Sequence, residues 1–129
     1  KFESAYLGVT VQTNRSVMLG SLSGDKLGVW VAHGEGRFQL PYPEDKYNIV
    51  LKYSYDAYPG NPNGSDYSTA AICSLDGRHL AMMPHPERAF FPWQCGTYPK
   101  DRLNDDVTPW IEAFVNARKW VENKVKKQL

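Results

Sequence analysis

The alternation of apolar and polar residues predicts short strands over the first two-thirds of the chain. Residues 8–12 alternate in the manner of a strand with one face toward a core. Residues 27–32 are apolar at successive positions, which is typical of a central strand covered on both faces. Residues 49–55 alternate again and predict a half-exposed strand. Residues 16–22 fit either a strand or a helical turn capped by Ser16.

Two more strands are predicted at residues 70–75 and 79–83, joined by a turn at Asp76-Gly77. A second turn is predicted at residues 61–65, where Asn, Pro, Gly and Ser are concentrated. We expect the strands at 27–32, 70–75 and 79–83 to share one sheet.

A long irregular stretch, residues 89–107, separates the strands from a single C-terminal helix. Thr108 is suited to cap that helix, and Pro109 fits its first position. The residues expected to pack its apolar face on the sheet are Trp110, Phe114 and Val121. The fold class predicted is α/β, with a mixed sheet and a C-terminal helix.

Composition narrows the range of partners. Fifteen basic and fourteen acidic residues give a net charge of +1, so nothing favours nucleic acid or an anionic membrane as a partner. No apolar run approaches the roughly 20 residues of a membrane span. Two cysteines make no disulfide framework, and a reducing, cytoplasmic setting is predicted.

The segment from Met82 to Arg88 carries the clearest candidate chemistry. Pro84 and Pro86 favour extended backbone at the residues before them, which places His85 and Glu87 on one side of the chain. A carboxylate beside an imidazole orients it and favours its charged form, as a general base requires. The simpler alternative is a strand end whose His and Glu satisfy buried backbone groups. The flanking prolines argue against that alternative.

A second candidate is the segment His33-Gly34-Glu35-Gly36, directly after an apolar strand. Its glycines allow a sharp turn and close approach of a ligand to the backbone. Alone, the pattern is weak. It lacks the Gly-Lys-Ser/Thr of a phosphate-binding loop, and the histidines and cysteines show no zinc-ligand spacing, so no metal is predicted.

A nucleophile to match His85 is missing from the pattern. In α/β hydrolytic folds the nucleophile sits on a tight, glycine-flanked turn between strand and helix. Cys73 lies inside a predicted strand, and Cys95 follows Trp93 and Gln94 with no helix signal after it. We therefore expect the chain to hold half of an active site.

Three motifs, in order between residues 33 and 88, resemble the glutaminase part of phosphoribosylformylglycinamidine synthases. They are His33 to Phe38, Asn61 to Ser65 and Met82 to Arg88. The Phe2-Glu3-Ser4 start and the Pro109-Trp110 end are more similar to the long, fused form of that enzyme than to its small separate glutaminase subunit.

The resemblance implies a class I glutamine amidotransferase, in which a Cys attacks the glutamine amide and ammonia is released. It implies His85 as general base, Glu87 as its orienting carboxylate, and His33, Gly34 and Glu35 as binders of glutamine. Residues 1–129 would then form the C-terminal part of the domain, with the nucleophile-bearing part upstream. The ammonia would serve the ATP-dependent conversion of formylglycinamide ribonucleotide to its amidine, in purine biosynthesis.

By the same resemblance, the partners are glutamine and the rest of the parent polypeptide, namely its synthetase domain and the upstream Cys segment. No cofactor is expected in residues 1–129, since ATP and Mg²⁺ would belong to the synthetase part. Two alternatives stay open. One is the stand-alone glutaminase subunit of the same pathway. The other is a non-catalytic binding module whose tyrosines, Tyr53, Tyr55, Tyr58 and Tyr67, line a ligand surface.

Overall fold

The computed structural model describes residues 2–128, which form one curled sheet with a helix packed against it. Its strands and helix are β1 (Glu3–Val11), β2 (Lys26–His33), β3 (Ile49–Tyr53), β4 (Thr69–Cys73), β5 (Leu80–Met82) and α1 (Ile111–Gln128). The three strands expected to share a sheet do so, as β2, β4 and β5. The predicted α/β class with a C-terminal helix is confirmed.

The sheet has the order β2-β1-β3-β4-β5, and every pairing between these strands is antiparallel. The prediction of a mixed sheet was therefore wrong for the described strands. Parallel neighbours need a long crossover, usually a helix. The only α-helix among residues 2–128 follows all five strands.

The two outer strands of the sheet, β2 and β5, are joined through His85, three residues after the end of β5. The His85 amide donates a hydrogen bond of 2.8 Å to the Trp30 carbonyl of β2, in an antiparallel bridge. The predicted central position of residues 27–32 was wrong, because β2 is an edge strand. The chain at His85 pairs with this edge at Trp30. The outer face of β2 packs against Tyr6 and the segment at Gln94, which is why β2 can be apolar on both faces.

The core lies inside the curl of the sheet. Alternate residues of β1 and β2 point into it, as the period of a strand requires. The fully or almost fully buried residues include Val9, Val11, Val29, Val31, Val50, Leu51, Ala70, Ala71 and Trp110. Trp30 lies on the opposite face of β2, packs edge-on against Tyr6 and donates its indole N–H to the Gln94 carbonyl at 2.8 Å.

Strand β3 departs from the simple alternation predicted for residues 49–55. The adjacent residues Val50 and Leu51 are both buried, and so is Tyr53. Register shifts on either side of Leu51 in the pairing with β4 break the two-residue period. The strand also ends at Tyr53, two residues early.

The predicted turns are present. Ser16 accepts a hydrogen bond from the Leu19 amide at 3.3 Å, so residues 16–22 form helical turns and no strand. Gly77 and Gly64 both have positive φ, of 76° and 69°, which a glycine adopts without strain.

Thr108 ties the start of the helix to the irregular segment before it. Its hydroxyl accepts from the Trp110 amide at 3.3 Å and donates to the Ala89 carbonyl at 2.6 Å. Trp110 is buried as predicted, and Phe114 packs edge-on against Phe90. Val121 is 53% exposed, so its predicted packing on the sheet was wrong. Among residues 2–128, no helix combines the length and apolar character needed to cross a membrane.

Two glycines with positive φ provide a test of the turn geometry. A Cβ at Gly77 would overlap the Arg15 carbonyl oxygen, whereas a Cβ at Gly24, with φ of 91°, would meet nothing within 4 Å. We expect Gly24→Ala to lower the free energy of unfolding by about 1–2 kcal/mol, from the backbone conformation alone. Gly77→Ala should cost about 1–3 kcal/mol more, because the added methyl group meets backbone. Chemical denaturation of both variants checks this, and equal losses would contradict the close approach of residues 15 and 77.

Candidate functional site

His85 and Glu87 form a hydrogen-bonded pair at the place where the sheet closes. Glu87 Oε2 lies 3.0 Å from His85 Nδ1. A carboxylate can only accept a hydrogen bond, so the protonated Nδ1 of His85 is the donor and Glu87 is the acceptor. In the neutral ring Nε2 is then left with a free lone pair. The His85 side chain is 33% exposed, which leaves the ring accessible from outside.

A 3-10 turn, Pro86–Arg88, brings the pair together. Pro86 fits the first position of the turn because no partner is needed for an amide it lacks. The Arg88 amide donates to the His85 carbonyl at 3.0 Å. The predicted proximity of His85 and Glu87 is thus present, but the extended segment invoked for it was wrong. The two side chains meet because the backbone turns tightly after His85, and not because residues i and i+2 of an extended strand point to the same side.

Arg88 adds a positive charge beside the pair, with its Nε 3.7 Å from Glu87 Oε2. Both side chains are about half exposed, so this contact contributes little to stability. Its position keeps the Glu87 carboxylate between a guanidinium and an imidazole.

The predicted glycine-rich turn lies close to the same region. His33 ends β2 and pairs with Glu3 of β1. A Cβ at Gly36 would overlap the end of the Met83 side chain, two residues before His85. Gly34 is half-buried and Glu35 is exposed. The Gly34-Glu35 turn therefore lies near the end of the strand that precedes His85.

His33 is turned into the protein and has one hydrogen-bond partner among the described side chains. Asn63 Nδ2 lies 2.7 Å from His33 Nδ1, and the same amide nitrogen lies 2.9 Å from the Gly36 carbonyl oxygen. Burial lowers the pKa of His33, and the nearby His85 lowers it further, against a smaller opposite effect of Glu3. These effects favour the neutral form of the His33 imidazole.

Residues 61–66 hold the glycine-rich segment along its length. The Phe38 amide donates to Ser65 Oγ at 3.0 Å, and the Leu40 amide donates to Asp66 Oδ2 at 2.8 Å. Asn61 and Ser65 are buried and exchange two hydrogen bonds of 3.0 Å within the turn. From the sequence, this segment was interpreted only as a turn. The only signal in the sequence that linked residues 61–65 to residues 33–38 was the resemblance of both segments to motifs of the same family.

Neither described cysteine takes the position of a nucleophile. Cys73 is the last residue of β4, and burial raises the pKa of its thiol. Cys95 follows the 3-10 turn Pro92–Gln94 and donates weakly to the Phe91 carbonyl, with an Sγ–O distance of 3.6 Å. Both thiols are free. In the described part of the chain, no three His, Cys, Asp or Glu side chains are grouped as metal ligands.

Exposed aromatic rings lie near Arg88, the residue that follows Glu87. A groove of about 400 Å³ is lined in part by Trp30, Arg88 and Trp93. Trp93 is 79% exposed and stacks on Phe91. By contrast, Tyr53 is buried and cannot contribute to a tyrosine-lined ligand surface, although Tyr55, Tyr58 and Tyr67 are exposed.

Known proteins share both the sequence and the fold. The phosphoribosylformylglycinamidine synthase of Homo sapiens is 42% identical over 132 residues, which cover 93% of this chain and 10% of that protein. A probable phosphoribosylformylglycinamidine synthase of Arabidopsis thaliana, named as chloroplastic/mitochondrial, is 43% identical over 142 residues, 95% of this chain and 10% of that protein. The chain thus spans about a tenth of the length of these relatives.

A solved structure is similar to this chain in sequence and in fold. PurLQS from Thermotoga maritima matches with a TM-score of 0.68 and 26% identity, over 94% of this chain and 49% of that one. Residues 1–121 match the model of the CobB/CobQ-like glutamine amidotransferase domain. With the His85–Glu87 pair just after β5, the chain belongs to the family of CobB/CobQ-like glutamine amidotransferase domains.

Proposed function

We propose that residues 1–129 belong to the glutaminase domain of a phosphoribosylformylglycinamidine synthase, which hydrolyses glutamine to supply ammonia for purine biosynthesis. The observation that carries the proposal is the His85–Glu87 hydrogen bond of 3.0 Å at an accessible strand end. The Homo sapiens and Arabidopsis thaliana relatives that bear this enzyme's name are 42% and 43% identical over 93% and 95% of the chain, which supports the same assignment.

In the proposed mechanism His85 is the general base. The hydrogen bond to Glu87 keeps the ring proton of His85 on Nδ1, which leaves a lone pair on Nε2. Nε2 therefore takes a proton from a cysteine thiol that belongs to another part of the domain. The thiolate forms a bond to the glutamine amide carbon, and His85 returns the proton to the departing nitrogen, which leaves as ammonia. Water then hydrolyses the thioester to glutamate, with His85 again as base.

The Gly34-Glu35 turn is the proposed holder of glutamine, together with His33. Support comes from its position, since Gly36 packs against Met83 just before the catalytic pair. Glu35 is exposed and free to meet the α-amino group of a substrate. His33 contributes by fixing the turn, because its imidazole faces Asn63.

The proposed partners are glutamine, the segment that carries the cysteine, and a synthetase part that uses the ammonia with ATP and Mg²⁺. The length of the relatives, ten times that of the matched region, favours a fused enzyme over a stand-alone subunit. We propose a cytoplasmic location, supported by the two free thiols. The Arabidopsis thaliana relative carries an organellar name, so location differs among relatives.

Replacement of His85 tests the proposed base. In the full-length enzyme, His85→Ala should lower glutamine-dependent activity by about 10²–10⁴-fold, the usual contribution of a general base. Ammonia-dependent activity should persist, because free ammonia bypasses the glutaminase. His79→Ala is the matched control, since His79 is exposed on the turn before β5. Steady-state assays with each nitrogen donor measure both effects.

Loss of both activities in a folded His85→Ala protein would contradict the proposed function. An equal loss in His79→Ala would contradict the assignment of the base to His85.

Glu87→Gln should have a milder effect than His85→Ala. The amide retains the shape of the carboxylate but loses the charge that stabilises the imidazolium. The fall in kcat with glutamine should be roughly 10- to 100-fold smaller than in His85→Ala, the usual difference between an orienting carboxylate and its base. The kinetic assay is the same, with ammonia as the control donor. A loss as large as that of His85→Ala would mean that Glu87 does more than orient the ring.

A protein consisting of residues 1–129 should not hydrolyse glutamine above background, because neither Cys73 nor Cys95 occupies a nucleophile's turn. The test is ammonia release by the purified, folded fragment, with a Cys95→Ser variant as control. Turnover that persists after removal of contaminating enzymes would overturn this prediction, and its loss in Cys95→Ser would identify the nucleophile.

A further inference from the structure

The Asn63 side chain makes two contacts that together determine its orientation. One amide atom lies 2.9 Å from the Gly36 carbonyl oxygen and 2.7 Å from His33 Nδ1. A carbonyl oxygen only accepts, so this atom has to be the NH₂ nitrogen. One of its two hydrogens bonds to Gly36, and the other points at the imidazole.

The orientation of Asn63 in turn determines the state of His33. A donor facing Nδ1 requires a lone pair on that nitrogen, so the ring proton resides on Nε2. A doubly protonated ring would set two donors against each other at 2.7 Å. Nε2 is itself buried and has no hydrogen-bond partner among the described residues, which makes a charged ring still less favourable.

We propose that Asn63 is a positioning residue for the glutaminase, which holds His33 neutral in the Nε2–H form and fixes the glycine-rich turn beside the His85–Glu87 pair. The inference rests on the proposed function and assigns to the Asn61–Ser65 turn a role in it. Asn63 is half-buried and touches no reacting group, so it acts through His33 and Gly36.

The charges around His33 explain why its neutrality matters. Burial and the neighbouring His85 both lower the pKa of His33, and Glu3 on the adjacent strand raises it. Glu87 and Arg88 lie on the turn behind His85, and Glu35 and Arg37 are exposed on the segment that contains Gly36. A positive His33 would break its bond to Asn63, release the turn and repel the imidazolium that His85 forms during catalysis.

The test is Asn63→Asp in the full-length enzyme, with glutamine-dependent kcat/KM measured against pH. The carboxylate prefers a protonated His33 Nδ1 and repels the Gly36 carbonyl oxygen. An adjacent negative charge raises the pKa of a histidine by about one unit or more. Because activity then needs both His33 and His85 to be neutral, the acidic limb of the profile should move to higher pH and become steeper. At neutral pH, kcat/KM should fall about tenfold, the effect of losing 1.4 kcal/mol of positioning.

Three further variants complete the experiment. Asn104→Asp adds the same charge on an exposed loop and should leave the profile unchanged. Asn63→Ala adds no charge, so kcat/KM should fall while the limb stays in place. His33→Gln in the Asn63→Asp background removes the titrating ring and should return the limb to its original position.

A uniform loss in Asn63→Asp with an unmoved limb would overturn the proposal, since that is the result of a purely structural residue. If Asn63→Asp also loses ammonia-dependent activity because it folds poorly, Asn63→Ala decides, and a kcat/KM within about twofold of the original overturns the proposal. Failure of the proposed function looks different, because the unaltered enzyme would then show no glutamine-dependent ammonia release at any pH.

Discussion

One backbone hydrogen bond organises both the fold and the site. The His85 amide bonds to the Trp30 carbonyl and joins the chain after Met82 to β2 at the far edge of the sheet. The bond closes the curl around the core. It also fixes the backbone of His85, from which the 3-10 turn starts and brings Glu87 under the imidazole. A displacement at the edge of the sheet would therefore move His85, the proposed base, since no flexible linker separates the two.

The position of the candidate site was easier to predict than the architecture. His85, Glu87 and the glycine-rich turn stand out because proline, glycine and charged residues have strong local effects on the backbone. The edge position of β2 was missed because its two apolar faces are typical of a central strand, and only the fold places residues 83–88 over that edge. The bulge at Leu51 was missed because it depends on the partner strand β4.

The contact of Asn63 with His33 shows the same limit inside the site. Thirty residues separate the two along the chain. No local propensity relates an asparagine in a turn to an imidazole at the end of a strand. Only the path of the chain, which passes residues 36–40 along residues 61–66, brings them within hydrogen-bonding distance. A site of this kind combines residues predictable from short motifs with supporting residues that appear only after folding.

Trp30 connects this site to the irregular segment that follows it. Its carbonyl accepts from His85, while its indole N–H donates to the Gln94 carbonyl. The segment is held again by the Tyr6 hydroxyl on the Thr97 carbonyl, and then at Thr108. Between Thr97 and Thr108 the residues are mostly exposed. Insertions and deletions can accumulate in that stretch during evolution. The contacts of Thr97 and Thr108 hold its two ends, so a change in its length does not reach β5.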